Sequence, residues 1–330
     1  MNAFHFSRRT LLAAAASTAL SPLAFAQTSG SGKVVKMIVG FPAGQATDMV
    51  TRVLAERLRA LTGDSYIVEN RPGQGGSLAL SQLAKSPANS LTLMVAHMSA
   101  AATNPHIYGS VGYDTSKDFE ASGLVGDLPF VLVCHPSLPV QNLQELVAYA
   151  RANPDKLNNA SSGNGTVSHL AMEEIKRKAG LKIMHIPYKG SVAGLTDVIS
   201  GNVSMALETA SAVRSHVESG RLRALAAGSA KRLGGVLANV PTLMEQGFQD
   251  FTATTWLMVL YPAGTPKAVV EATHAALNAV VSQPEVEQKL VSLGLQPRLS
   301  KTTDEAAAYL RSEYKNWGEI VKRSGVPKEM

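Results

Sequence analysis

The stretch Phe41-Pro42-Ala43-Gly44-Gln45-Ala46-Thr47-Asp48 decides how the first half of this chain folds. It follows the apolar run 34–39, which is typical of a buried strand, and precedes residues 49–58, whose apolar side chains recur at helical spacing. Its proline, glycine and capping residues predict a tight strand-to-helix turn with Thr47 or Asp48 as the N-cap. Such a turn points backbone N–H groups outward at the positive end of a helix, which suits an anion, although an ordinary βα turn also explains these residues.

The elements that follow alternate between strands and helices. Strands are predicted at 65–70 and 91–96 with a helix at 78–85 between them, an order that favours parallel pairing through right-handed crossovers. A second unit begins with a strand that ends at Ser162, followed by a turn at 163–169 and a helix. The chain is therefore predicted to form two α/β domains with mainly parallel central sheets. Ligands of such sheets bind beyond the carboxyl ends of strands, so a cleft between the units is the expected site.

Capping residues predict several helix boundaries. Gly63 is placed to end the first helix, and Asn142 and Ser191 are placed to begin two later ones. Apolar runs predict strands at 124–135 and at 203–207, the second of which continues into Glu208 and Thr209.

Composition limits the classes of function. The 330 residues are 45% hydrophobic and 17% charged, with a formal net charge of +6, which describes a globular protein with a weak preference for anions. No Lys/Arg block of the nucleic-acid-binding type occurs. The single cysteine, Cys134, cannot form an internal disulfide and is predicted to be a buried strand residue. The histidines lack metal-ligand spacing, so no metal and no cofactor are predicted.

The first 26 residues are predicted to be a cleaved export signal. Arg8 and Arg9 precede an apolar run at 11–20, and Ala24-Phe25-Ala26 provides a small-x-small cleavage site. The run is too short and too rich in alanine to span a bilayer. Export by the twin-arginine or the general secretory route, and a periplasmic location, are the expectation.

Motifs for catalysis are missing. The chain has no G-x-S-x-G, no Walker A sequence and no G-x-G-x-x-G after its first strand. Ser162 and His169 could suggest a hydrolase, but no acid stands in an orienting position, so no enzyme is predicted. The turn instead offers neutral donors: the hydroxyls of Ser162, Thr166 and Ser168, and glycines that let backbone N–H groups approach a ligand. These donors predict a cradle for a carboxylate.

Six motifs in order resemble the Bug family of periplasmic solute-binding proteins, the receptors of tripartite tricarboxylate transporters. The matching segments are 37–48, Val68-Glu69-Asn70-Arg71-Pro72-Gly73-x-Gly75-Gly76, 162–170, Ile186-Pro187-Tyr188-Lys189-Gly190, 240–247 and Pro262-Ala263-Gly264-Thr265-Pro266. The resemblance covers about 34–327. It implies a periplasmic binding protein type II-like fold, with residues 27–131 and 253–330 forming one domain and 132–252 the other, and a ligand cleft between them.

The resemblance also implies which residues bind the ligand and which partners the protein has. The implied ligand-binding residues, carried over by position, are Phe41, Ala43, Gly44, Gln45, Asp48, His97, Ser99, Ser162, Gly163, Thr166, Ser168, His169, Tyr188, Lys189, Gly190 and Glu208. A monomer that passes a small carboxylate to membrane permease subunits is expected, and an orphan receptor for a sensor is the alternative. Two residues depart from the family pattern, Gln45 where a glycine is usual and Glu208 where an aspartate is common.

Overall fold

The computed structural model describes residues 32–89 and 91–324, so the predicted export signal lies outside the described residues. Within that part of the chain, no helix has the length and apolarity needed to cross a membrane.

Strands and helices alternate along most of the chain. The strands are β1 (Val34–Val39), β2 (Ser65–Asn70), β3 (Thr92–His97), β4 (Phe119–Cys134), β5 (Asn158–Ser161), β6 (Met184–Pro187), β7 (Met205–Thr209), β8 (Arg223–Ala227), β9 (Thr254–Pro262) and β10 (Gln296–Pro297). The helices are α1 (Ala46–Thr62), α2 (Ser77–Ala84), α3 (Asn104–Ile107), α4 (Leu143–Ala152), α5 (Val167–Ala179), α6 (Ser191–Ile199), α7 (Ala210–Glu218), α8 (Lys267–Val281), α9 (Pro284–Ser292) and α10 (Thr303–Ser324).

The strands form one curled sheet in the order β2-β1-β3-β9-β4-β7-β5-β6, with β8 and β10 also paired to β4. The prediction of mainly parallel sheets is wrong in detail. β1 is parallel to β2 and β3, and β5 is parallel to β6 and β7, but β4 and β9 pair antiparallel to their neighbours. The cause is that the chain passes between the two halves of the sheet through β4 and returns through β9, without a helical crossover.

The long strand β4 joins the two halves of the sheet. Its residues 119–129 pair with β9, whereas residues 130–134 pair with β7 and β8. The change of partner falls close to the predicted boundary at 131, and the division into domains stays a prediction. Cys134, at the end of this strand, is fully buried as predicted.

Two helix starts differ from the sequence expectations, and one helix was not predicted. The N-cap of α1 is Gln45, not Thr47 or Asp48, and the N-cap of α6 is Gly190, not Ser191. The helix α7, which begins immediately after β7, was not predicted. Asn142, by contrast, caps α4 as predicted, since its side chain accepts a hydrogen bond from Glu145 N.

Candidate ligand-binding cleft

A small cavity lies where the two halves of the sheet face each other. Its volume is about 30 Å³, which is room for the polar end of a ligand rather than for a whole ligand. Its lining residues come from both halves: Phe41, Gln45, Ala46, Thr47, His97, Leu128, Phe130, Ser162, Thr166, Ser191, Glu208 and Thr209. We call this space the inner cavity.

Four helices begin at the inner cavity. Gln45, Thr166 and Thr209 are the N-caps of α1, α5 and α7, and Ser191 is the first residue of α6. No side-chain hydrogen bond caps any of the four helices. Each N-terminus carries about half a positive elementary charge on N–H groups without intrahelical partners. Their convergence makes the inner cavity a site for negative charge, built without a lysine or arginine in its lining.

A wider groove opens beside the inner cavity. It has a volume of about 720 Å³ and lies between the loops around Pro42 and Gly75 of one half and those around Gly163 and Tyr188 of the other. Phe41 and Ser162 line both spaces. We call this space the outer groove. Together the two spaces offer a polar end and a larger, mostly apolar continuation.

Glu208 is the one acidic side chain in the lining of the inner cavity. It is 2% exposed, and its Oε1 accepts hydrogen bonds from the hydroxyls of Ser162 at 2.6 Å and Ser168 at 3.1 Å. Burial raises the pKa of Glu208 to about 7, although these two hydroxyls and the Thr209 backbone N–H oppose that rise. A carboxyl group that changes charge near neutral pH therefore faces the cavity.

His97 places a neutral ring in the lining of the same cavity. Its Nδ1 lies 2.7 Å from Ser99 Oγ and 3.1 Å from Ser99 N, so Ser99 holds the orientation of the ring. Burial lowers the pKa of His97 to about 3, so the ring stays uncharged at physiological pH. Phe41 packs against it with ring centroids 4.8 Å apart. Ser99 does not line the cavity itself. Its hydroxyl donates to Gly75 O at 2.8 Å, so it connects His97 to the loop that carries Gly75.

The two halves contact each other closely around the cleft. The Gln45 amide packs so tightly on Gly190 that a Cβ there would overlap it. The Thr103 hydroxyl donates to Gly165 O at 2.6 Å. A Cβ on Gly75 would lie 3.6 Å from Asn164 O. The structure therefore shows a closed arrangement.

The other predicted residues divide into two groups. Tyr188, Lys189, Gly163 and Gly190 line the outer groove, with Lys189 exposed. Residues of the second group line neither space: Ala43, Gly44, Asp48, Ser99, Ser168 and His169. A ligand-binding role for any of the predicted residues stays a prediction.

His169 and His185 support the turn that carries Ser162. Their rings stack in parallel with centroids 4.0 Å apart. His169 Nδ1 accepts from Gly165 N at 3.3 Å, and His185 Nε2 lies 2.6 Å from Ser161 Oγ. Burial, reinforced by His185 and Lys176, lowers the pKa of His169 to about 3. The two histidines thus hold the backbone of this turn while remaining neutral.

These histidines also form, with Glu173, a group whose candidate ligand atoms lie within 4.8 Å of one another. Sequence spacing gave no sign of it, because the two histidines stand on different elements. Glu173 is already paired with Lys176 Nζ at 2.6 Å, and each ring has one nitrogen bonded to the turn. The absence of a metal stays a prediction.

Asp48 stabilises the turn that precedes α1. Its carboxylate accepts from Gly44 N at 2.8 Å and Asn70 Nδ2 at 2.9 Å, and pairs with Arg52 at 3.0 Å. Burial acts to raise the pKa of Asp48, but the hydrogen bonds from Arg52, Gly44 and Asn70 outweigh it and hold the pKa below its usual value. Asp48 therefore fixes the loop that precedes α1.

We expect Asp48→Ala to lower the free energy of unfolding by about 3 kcal/mol, because it leaves buried donors without their charged acceptor. Arg52→Ala, which removes a half-exposed partner, should cost under ~1 kcal/mol. A depressed carboxyl pKa contributes stability above the unfolded pKa of about 3.9, and that contribution is lost as pH falls through the folded value. Urea unfolding should therefore show the wild-type advantage over Asp48→Ala shrinking below about pH 4, and a constant difference would contradict this role.

Several lining residues were missed from the sequence as ligand contacts. Ala46, Thr47, Ser191 and Thr209 reach the inner cavity because helices start there. Leu128 and Phe130 form its apolar wall. The sequence also carried no signal for Thr103, which lies in a π-helical turn after β3 and contacts Gly165 of the opposite half.

Known proteins share this architecture. The family model described as tripartite tricarboxylate transporter family receptor matches residues 50–326. BugT of Bordetella pertussis is 34% identical over 292 residues, which span 88% of this chain and 89% of that protein. The structure of Rpa4515 of R. palustris with adipate is 31% identical with a TM-score of 0.85, over 89% of this chain and 98% of that one. The structure of MatC of Rhodopseudomonas palustris with bound malate is 26% identical with a TM-score of 0.80, over 88% of this chain and 99% of that one. The predicted type II-like periplasmic binding protein fold is confirmed.

Proposed function

Because the chain belongs to the tripartite tricarboxylate transporter receptor family, we propose that it captures a small carboxylate in its cleft and delivers it to membrane permease subunits. The observation that carries the ligand class is the convergence of four uncapped helix N-termini on the inner cavity. Such N–H groups stabilise an anion without a buried counter-ion. The adipate and malate bound by two similar proteins support the same class of ligand.

Binding and closure are coupled in this proposal. Part of the anion site comes from α1 in one half and part from α5, α6 and α7 in the other, so only the closed state presents all four N-termini to one ligand. A ligand that binds the closed state better shifts the population toward it. The closed surface is then what the permease recognises in the periplasm, after removal of residues 1–26. Delivery to a sensor is the second candidate, since it would use the same closed surface.

A hydrolase finds no support in the cleft. The Ser162 hydroxyl donates to Glu208, while His169 Nδ1 accepts from Gly165 and its ring stacks on His185. No hydrogen bond joins the serine to the histidine among the described residues. We therefore propose a binding protein without catalytic activity.

A thermal-shift screen tests the ligand class. A mono- or dicarboxylate at 100 times its dissociation constant should stabilise the protein by about 2.7 kcal/mol and raise its melting temperature. Thr166→Ala, which alters the α5 N-cap in the inner cavity, should reduce this shift, whereas Ser219→Ala on the exposed end of α7 should leave it unchanged. If no carboxylate in a broad panel stabilises the protein, the proposed ligand class is wrong. Cells that lack this receptor should lose uptake of the identified ligand if the receptor serves transport, and should keep it if the receptor serves a sensor.

A further inference from the structure

The acidic side chain in an anion site is the feature that the proposed function leaves unexplained. A ligand carboxylate held by the helix N-termini would share the closed cleft with Glu208, whose carboxyl group is 2% exposed. Two negative charges in one small cavity repel each other strongly when water is excluded. Glu208 has no salt-bridge partner among the described residues, and the inner cavity is lined by no lysine or arginine. In the bound state its charge is either removed by protonation or balanced by a cationic group.

The hydrogen bonds of Glu208 favour its ionised form as an acceptor. The hydroxyls of Ser162 and Ser168 both donate to Oε1, and the Thr209 backbone N–H also bonds the carboxylate. These three donors stabilise the ionised form of the carboxyl group relative to its protonated form. The two serines are also committed to Glu208 and are not available as the main donors to a ligand carboxylate. A cationic group that arrives with the ligand would supply the partner that Glu208 lacks.

From this arrangement we propose that Glu208 is a subsite for a ligand ammonium group, so that the preferred ligand is an amino acid or another amino-substituted carboxylate. The inference rests on the proposed carboxylate-binding function and narrows its ligand class. The carboxylate of the ligand faces the helix N-termini, the ammonium group lies against Glu208, and the rest of the ligand continues past Phe41 into the outer groove. The neutral ring of His97 lines the same cavity and does not repel a cation.

Among the described residues around the inner cavity, Glu208 is the carboxyl group whose pKa burial raises to about 7. On β3, burial lowers the pKa of His97 to about 3. On α1, the Asp48 carboxylate is turned toward Gly44 and Arg52, and on α5 the ring of His169 is stacked on His185. On β4, Asp127 pairs with Arg298. On α7, the first charged residue is Arg214, which lies six residues beyond Glu208.

The test compares each dicarboxylate with its amino-substituted analogue, such as glutarate with glutamate and adipate with 2-aminoadipate, by calorimetry at pH 6 and pH 8. The amino analogue should bind at least about tenfold more tightly to the wild type at pH 8, as expected for one charge-assisted hydrogen bond. Because the pKa of Glu208 is raised to about 7, its ionised fraction grows between these pH values, and the affinity for the amino analogue should grow with it by up to about tenfold. The unsubstituted dicarboxylate should instead weaken.

Glu208→Gln should remove both the preference for the amino analogue and its pH dependence. The matched control is Glu271→Gln, which neutralises an exposed glutamate on α8 and should leave both unchanged. Glu208→Asp keeps the charge and should keep a preference, which serves the test if the glutamine variant does not fold. Equal or tighter binding of unsubstituted dicarboxylates by the wild type at both pH values overturns the ammonium subsite alone. Binding of neither class overturns the proposed function as well.

Discussion

Gly75→Asn should weaken carboxylate binding by about 100-fold, equivalent to about 2.7 kcal/mol, while the protein stays folded. Gly75 lies in the loop before α2. A Cβ on it would be 3.0 Å from the Asn104 amide nitrogen, and 3.5 Å from Thr166 Cγ2 and 3.6 Å from Asn164 O in the opposite half. The further atoms of an asparagine would enter the space that the opposite half occupies on closure. Since ligand affinity depends on the closed state, blocking closure lowers the apparent affinity by the same factor as it depopulates that state.

The asparagine is chosen because the backbone at Gly75 tolerates it. Its φ of 56° and ψ of 26° lie in the left-handed region, which asparagine adopts more readily than most residues. Gly180→Asn is the matched control, because Gly180 has a φ of 64° at the exposed end of α5 and no heavy atom within 4 Å of an added Cβ. Calorimetric titration of both variants with the same carboxylate tests whether binding requires closure. Wild-type affinity in Gly75→Asn would show that binding does not require this closed arrangement.

Trp256→Ala should lower the free energy of unfolding by about 3–5 kcal/mol, the cost of deleting a large side chain from a packed core. Trp256 lies on β9 and is 2% exposed. Its indole N–H donates to Glu313 on α10 at 2.8 Å, and its ring meets Tyr309 edge-on at 5.8 Å between centroids. It thus connects the returning strand to the last helix, and its removal leaves a cavity and takes away one of the two indole donors to Glu313.

Trp317→Ala is the comparison for this stability prediction. Trp317 donates to the same Glu313 oxygen at 3.2 Å but is only partly buried on α10, so its loss should cost about 1–2 kcal/mol. The chain has two tryptophans, so each variant keeps one fluorophore for urea unfolding. Equal losses in the two variants would mean that the shared acceptor, not the buried ring, determines the stability.

Local patterns determined more of the fold than of the site. Strands β1, β2 and β3 follow from apolar runs, and Asn142 was identified as a cap because its hydrogen bond is made within four residues. Asp48 shows the limit of such reasoning. Its type and position suggested an N-cap, but its partners include Asn70, which is distant in sequence, and this contact places the carboxylate behind the loop.

The sequence by itself determined that this chain is a two-unit α/β protein with neutral donors at strand ends, because turn chemistry and hydrophobic periodicity are local properties. Only the tertiary structure decided that α1, α5, α6 and α7 all begin at one cavity, since their first residues are separated by as many as 164 positions along the chain. The same is true of Glu208. The sequence shows that residue 208 is a glutamate. Its burial among serine hydroxyls without a counter-ion depends on which strands become neighbours, and packing determines that arrangement.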